Sequence, residues 1–435
     1  MNRQGMGRGR CTRPMEDSRG DQLRRRIALY SHDTMGIGHV RRNLLIAQAL
    51  GESRREVSIL LIAGAREAGV FDMPLRVDCL TLPSLSKDGD GHYATRRLGI
   101  GLGELIDLRA RTLAAALDAF EPDVLIVDNV PRGALRELEP ALEALSARRG
   151  TRCVLGLREV LDDSAAVRNE WDRRANEEAV RAYYDAIWVY GDPLVCDQVT
   201  EYRFASDVAA KVRYTGYFDH RQRLKLSSSQ RPDPLQELGL PSGQLVLCMV
   251  GGGEDGARLA EAFAQAEFPP AMNAVLITGP FMPADVRARL QRLATMRSRF
   301  RMCGFLNEPA ILLERADVVI AMGGYNTVSE ILSFDKPALI VPRVRPRLEQ
   351  LIRSQRLRDL GLVDMLHPDE LHPQALSRWL AGGSFPRQSV RECLDFNGLS
   401  RLPHFLDEVL AQPLAGEERG GRTFSSARPA KARSR

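Results

Sequence analysis

Three short stretches combine glycine with an acid or a histidine in spacings suited to chemistry. The first is AMGGYNTVSEILSFDKPALIVP, residues 321–342. A strand-like run enters Gly323-Gly324, which lack Cβ atoms and let a ligand approach the backbone. Asn326 is placed to cap the helix that follows. The free N–H groups of that first turn, with the helix dipole, form an anion site. Glu330, one turn further, has the reach to accept two hydrogen bonds from a vicinal diol such as ribose. The same residues also suit a tight βα turn with a capped helix and a solvated glutamate.

The second stretch is MVGGGEDG, residues 249–256. Gly251, Gly253 and Gly256 fit G-x-G-x-x-G, but no Gly-Lys-Ser/Thr follows, so it is not a P-loop. A dinucleotide fingerprint also wants an acid at the end of the next strand, and that strand ends Thr278-Gly279-Pro280. A phosphate-side turn is favoured over NAD binding. The third stretch is YSHDTMGIGHVRRN, residues 30–43. Here Gly36-x-Gly38 precedes His39 at a helix start, where the dipole disfavours imidazolium and leaves a neutral general base. Val124–Asp128 ends in an acid at a strand's carboxyl edge. If adjacent in space, Asp128 holds His39 in the right tautomer; alone, His39 also reads as a helix-capping histidine.

Other candidates are weaker. His32, His92, His220, His367, His372 and His404 have no comparable setting. Asp88-Gly89-Asp90 and Asp162-Asp163 lack the His or Cys company of a metal site, so no metal is expected. No G-x-S-x-G elbow occurs. The Gly-spaced apolar run from Leu98 reads as a mobile helix start, or as part of an acceptor pocket or membrane-facing patch.

The elements that must position these stretches alternate in type. Apolar strand-like runs at 27–31, 57–63, 77–82, 124–128, 152–157 and 186–190 are separated by helical spacing at 40–50, 98–120, 133–148 and 165–184. After a polar, Pro-containing stretch the pattern restarts. Strand-like runs at 245–250, 274–278, 300–303, 318–321 and 338–341 are separated by helical runs at 255–267, 283–295, 307–314, 326–333 and 348–360. Strands apolar on both faces and alternating with helices predict a parallel sheet covered on both sides. The expected fold class is α/β, two Rossmann-like doubly wound domains facing across a cleft. The boundaries read are 26–222 for the first domain, 223–243 for a linker, 244–400 for the second and 401–412 for a final helix.

Composition narrows the class. The chain has 435 residues and a formal net charge of +5, but residues 1–25 and 413–435 are basic tails that read as disordered. The slightly acidic body between them lacks the clustered basic face that nucleic acid needs. No apolar run is long enough to span a bilayer, and the Arg-rich N-terminus has no signal-peptide core. The seven cysteines are scattered with no CxxC pair, so neither a disulfide nor a zinc framework is expected. These features predict a cytoplasmic protein, with the tails allowing weak peripheral association at the inner membrane.

Together the stretches resemble the GT-B glycosyltransferases of family 28, the family of the MurG-type transferase. The resemblance covers about residues 26–410 and is most specific at Gly324-Tyr-Asn-Thr-Val-Ser-Glu330, Gly251-Gly252 and Gly38-His39. The chain is similar, too, to a set of bacterial predicted glycosyltransferases, sharing SHDTMGIGHVRRNLL, LREVLDD, WVYGDP, KVRYTGY and GLVDMLHPDEL.

The family resemblance implies a nucleotide sugar, UDP-linked, as donor substrate and no separate cofactor. It implies donor contacts at Gly251, Gly252, Gly253 and Gly323, at Gly304, Phe305 and Leu306 for the base, and at Gly324, Tyr325, Asn326 and Thr327 for the α-phosphate. Glu330 would hold the ribose, and Glu349 and Gln350 the sugar hydroxyls. It places Gly36, Gly38, His39 and Arg42 on the side of an acceptor, lipid-linked or small. Two departures matter: Gly253 replaces a serine, and Glu349 replaces a glutamine and makes the sugar pocket more acidic. The expected reaction is inverting, metal-independent hexosyl transfer with His39 as base. Alternatives are a nucleotide-sugar hydrolase using His39 to activate water, an NAD-binding oxidoreductase and a non-catalytic UDP-sugar binder.

Overall fold

The computed structural model describes residues 24–32, 38–53, 56–65, 68–69, 73–87, 93–225, 233–252, 255–304, 306, 309–383 and 389–412. The basic tails, the Asp88-Gly89-Asp90 loop, His92, Gly36, Gly253 and Phe305 lie outside these residues. In the first unit the strands are β1 (Arg25–Ser31), β2 (Val57–Ala63), β3 (Val77–Thr81), β4 (Leu85–Lys87), β5 (Tyr93–Thr95), β6 (Val124–Asp128), β7 (Arg152–Arg158), β8 (Ala186–Tyr190) and β9 (Val212–Tyr214). Seven of them form a parallel sheet in the order β3-β2-β1-β6-β7-β8-β9, while β4 and β5 make an antiparallel hairpin. The second unit has β10 (Leu245–Met249), β11 (Asn273–Ile277), β12 (Phe300–Cys303), β13 (Val318–Met322), β14 (Ala338–Val341) and β15 (Asp364–Met365). These form a parallel sheet in the order β12-β11-β10-β13-β14-β15. β6, β8, β10 and β13 are buried at every position, as strands covered by helices on both faces must be.

The two-unit α/β architecture is thus as expected, with differences in detail. The hairpin, β9 and β15 are two or three residues long, too short to show a period in sequence. The single helix expected over 165–184 is two, Ser164–Arg173 and Asn176–Tyr183, because Ala175 adopts a left-handed conformation with φ 48°. The helix expected from 133 begins at Glu139, after a short 3-10 turn in which Leu135 also has positive φ.

Chain order makes the two sheets present their ligand edges where the motifs are. In a doubly wound sheet a crevice opens where the strand order reverses, outside the carboxyl ends of the strands. In the first sheet that point lies between β1 and β6, which end near His32 and at Asp128. In the second it lies between β10 and β13, followed by Gly251 and Gly323.

Three features join the units. One apolar cluster runs without interruption from Ile27 and Trp188, through Tyr217 and Phe218, to Leu247 and Val319. The closing helix Gly398–Ala411 packs back onto helix Gly38–Ser53 of the first unit. Arg353 of the second unit donates to Glu159 at 2.5 Å, and both side chains are fully buried. Asp162 and Asp163 serve this architecture too. Asp162 accepts from Leu348 N at 2.7 Å, and Asp163 caps helix Ser164–Arg173.

Candidate active-site cleft

A cavity of about 400 Å³ lies between the two sheet edges, within the range of roughly 300–1,000 Å³ for small-molecule sites. On the first unit, His39 is the second residue of helix Gly38–Ser53. Its Nδ1 lies 2.6 Å from Oδ2 of Asp128, the last residue of β6. The His39 side chain keeps 23% of its surface exposed and Asp128 only 1%. Arg42, one turn along, donates through Nη2 to both Asp128 oxygens at 2.5 and 2.6 Å. Burial would raise the Asp128 pKa; Arg42 first, then His39, overcome it and hold the carboxyl well below the usual range.

Arg42 Nη2 also lies 2.9 Å from His39 Nδ1. A guanidinium N–H cannot accept, so Nδ1 cannot donate to both neighbours. We assign the Nδ1 proton to Asp128, the carboxylate, which leaves Nε2 with its lone pair for a substrate. Arg42, expected to face an acceptor, borders the cavity but spends its Nη2 on Asp128. Its guanidinium lies 5.5 Å from the Tyr190 ring and 5.3 Å from that of Tyr325. It braces the dyad.

Opposite stands helix Tyr325–Ser333. Its N-cap is Gly324, with no side chain bonded to the first turn. Asn326, expected as the cap, is instead the helix's second residue, and the N-cap glycine offers no side chain to the first-turn N–H groups. Of the two glycines only Gly324 borders the cavity. Gly323 faces helix Glu349–Asp359, where a Cβ would fall 2.9 Å from Ser354 Oγ. The two facing helix starts touch: a Cβ on Gly38 would lie 2.2 Å from Asn326 Nδ2. Tyr325 adds a second link, its hydroxyl donating to Tyr190 O at 2.9 Å.

Glu330 is 4% exposed at the cavity wall. Arg41 Nη1 and His220 Nδ1 each stand 4.0 Å from its Oε1. Gly251, Gly252, Gly304, Leu306 and Thr327 also border the cavity. Arg41 Nη2 donates to Leu306 O at 2.9 Å, tying that turn to the histidine helix. Glu349 and Gln350 line the far side. Glu349 is paired with Arg343 at 2.6 Å, and Arg343 also reaches Asp255 at 2.7 Å. Burial would raise the Glu349 pKa, but Arg343 and then Arg158 lower it. The acidity expected from the Gln-to-Glu change is therefore largely offset. Gln350 Oε1 accepts from Arg343 N at 3.1 Å.

Sequence reasoning passed over several residues of this cleft. His32 lies with its ring 5.4 Å from that of His39. His220, read as having no special setting, is buried beside Glu330 and 3.3 Å from Ser329 Oγ. Arg41, Arg158, Arg343 and Trp171 border the same cavity. Only the Arg41-Arg42 pair next to His39 carried a local signal; the others meet through the fold. Among the described residues no group of three or more His, Cys, Asp or Glu side chains is placed to hold a metal ion, and no helix is long and apolar enough to cross a membrane.

Comparison with known proteins bears on the fold and on the second unit. Residues 247–390 match the family model of the glycosyltransferase family 28 C-terminal domain. A protein of Bacillus subtilis (strain 168), described as uncharacterized UDP-glucosyltransferase YdhE, is 27% identical over 139 residues, 30% of this chain and 33% of the relative. The UDP-N-acetylglucosamine–N-acetylmuramyl-(pentapeptide) pyrophosphoryl-undecaprenol N-acetylglucosamine transferase of Verminephrobacter eiseniae (strain EF01-2) is 27% identical over 175 residues, 40% of this chain and 47% of the relative. The chain thus spans a third to about half the length of these curated relatives. Among solved structures, the calicheamicin glycosyltransferase CalG4 has a TM-score of 0.58 at 16% identity, over 90% of this chain and 99% of that one. The UDP-GlcNAc 2-epimerase from Neisseria meningitidis, bound to UDP-GlcNAc, has 0.56 at 14%, over 89% and 99%. At such identities the likeness is one of fold. The family match is carried by the second unit alone, whereas the likeness of fold extends over 90% of the chain.

Proposed function

We propose that this chain transfers a hexosyl group from a UDP-linked sugar, such as UDP-GlcNAc, to an acceptor hydroxyl with inversion and without a metal. The observation that carries the reading is the contact between the two helix starts. It sets a histidine–aspartate dyad against an uncapped helix N-terminus suited to a diphosphate. His39 Nε2 removes the acceptor proton as the oxygen attacks C1, and Asp128 stabilises the imidazolium that forms. The leaving diphosphate needs no acid; the N–H groups at Gly324–Thr327 meet its charge. Glu330 accepts from the ribose, and Glu349 and Gln350 face the sugar. The relatives' printed names support a UDP-sugar donor, and one of them names a lipid-linked acceptor. The acceptor here is lipid-linked or small.

The test is turnover with UDP-GlcNAc and UDP-glucose, scored as UDP released per glycosylated acceptor, with and without EDTA. His39→Ala should lower kcat by roughly 10²–10⁴-fold with UDP affinity retained. Wild-type turnover in that variant would remove His39 as base. UDP and free sugar formed in equal amounts without acceptor would mean hydrolysis; UDP binding without any turnover would mean a binder.

A further inference from the structure

Three arginines in or behind the cleft wall are each matched to a carboxylate. Arg42 is bonded to Asp128, Arg353 to Glu159 and Arg343 to Glu349. A fourth, Arg158 at the end of β7, is not. It borders the cavity, its Nε is buried with no hydrogen-bond partner, and no described carboxylate forms an ion pair with it. Burial pushes its pKa down to about 10; Glu349 favours the charge, Arg42 and Arg353 oppose it, and Asp128 favours it. The guanidinium nevertheless stays charged at neutral pH. Both helpful carboxylates are already engaged by other arginines.

A desolvated cation without a counter-charge is costly to hold. This one shares the cavity with His39, Glu349 and Gln350 and feels the charges of both Asp128 and Glu349. The cavity it borders is lined by the apolar Val130, Leu161, Val167 and Trp171 and by the charged Glu170, Arg174 and Arg347, both of these arginines being paired with Glu170. A planar guanidinium fork in such a place matches a carboxylate or phosphate through two parallel bonds.

We propose that Arg158 is an anion-recognition side chain, so that the cleft selects a substrate bearing a carboxylate or phosphate close to the reacting centre. The proposal rests on the nucleotide-sugar reading of the cleft. The anion belongs either to the transferred sugar or to the acceptor.

Calorimetry and thermal melting of wild type, Arg158→Met and Arg158→Lys separate these sources. In the donor arm, UDP-glucuronate is compared with UDP-glucose. In the acceptor arm, UDP is held saturating so that the diphosphate site is filled, and inorganic phosphate and glucose 6-phosphate are compared with glucose. The expected result is a preference of at least tenfold for the charged member in one arm, lost in Arg158→Met and partly kept in Arg158→Lys. Ligand-free Arg158→Met should melt no lower than wild type, since it removes an unpaired charge. No charge preference in either arm, or a preference that survives Arg158→Met, overturns the proposal. Failure of UDP itself to bind would instead overturn the reading beneath it.

Discussion

Asp128 lies under His39, bonded to it on one side and to Arg42 on the other. Because its folded pKa is depressed, its stabilising contribution is present above the unfolded value of about 3.9 and is lost as pH falls through the folded value. The melting-temperature gap between wild type and Asp128→Asn should therefore be steady from pH 5 to 8 and shrink in stronger acid. At neutral pH the variant leaves Arg42 buried without its partner, a loss of about 3–5 kcal/mol. A gap that widens on acidification would contradict the pairing. Glu330 makes a second residue-level prediction. Glu330→Ala should lose a charge-assisted hydrogen bond of about 1.5–3 kcal/mol, roughly ten- to a hundredfold in UDP affinity. Unchanged affinity in a titration would take Glu330 out of the site.

The start of helix Gly38–Ser53 meets that of helix Tyr325–Ser333 through the Asn326 side chain, whose Nδ2 occupies the place a methyl group on Gly38 would need. Gly38→Ala should crowd the Asn326 side chain, and where that side chain cannot turn away the helix start moves and carries His39 with it. A shift of 1 Å at a reacting centre costs on the order of 10²-fold in rate, so kcat should fall with UDP affinity little changed. Removing the obstacle tests the cause. In the Gly38→Ala, Asn326→Ala double variant kcat should recover beyond the product of the two single effects. Additive losses would show that the contact between the helices is not what places the base.

The two units behave as one body in their packing, since a single apolar cluster crosses from sheet to sheet and Arg353 bonds Glu159 inside it. Glu159→Gln leaves a buried guanidinium unmatched and should cost about 3–5 kcal/mol, read as a lower urea midpoint. In the wild type, unfolding followed by fluorescence, with Trp188 in the first unit and Trp379 in the second, should coincide with that followed by backbone circular dichroism. Two separated transitions would mean that the units fold independently despite the shared core. Removal of helix Gly398–Ala411, which packs on helix Gly38–Ser53, should destabilise the first unit although the helix follows the second in the chain.

Sequence alone determined the alternation of buried strands with helices, and so the two parallel sheets. It also exposed the glycine turns and the strand-end acid, because glycine spacing and apolar runs are local properties that no tertiary contact needs to supply. It suggested His39 with Asp128, but only the fold joins residues so far apart, by making β1 and β6 neighbours at the point where strand order reverses. The cap of helix Tyr325–Ser333 is Gly324 and not Asn326, because the helix begins at Tyr325 and puts Asn326 inside its first turn. Arg158 and His220 had no readable role in the chain, and Arg42, read as facing an acceptor, is engaged by Asp128 instead. The function of a charged side chain depends on which opposite charge the fold leaves beside it. That pairing is decided by packing between distant segments, and among the described residues it leaves Arg158 as the one cavity arginine without an ion pair.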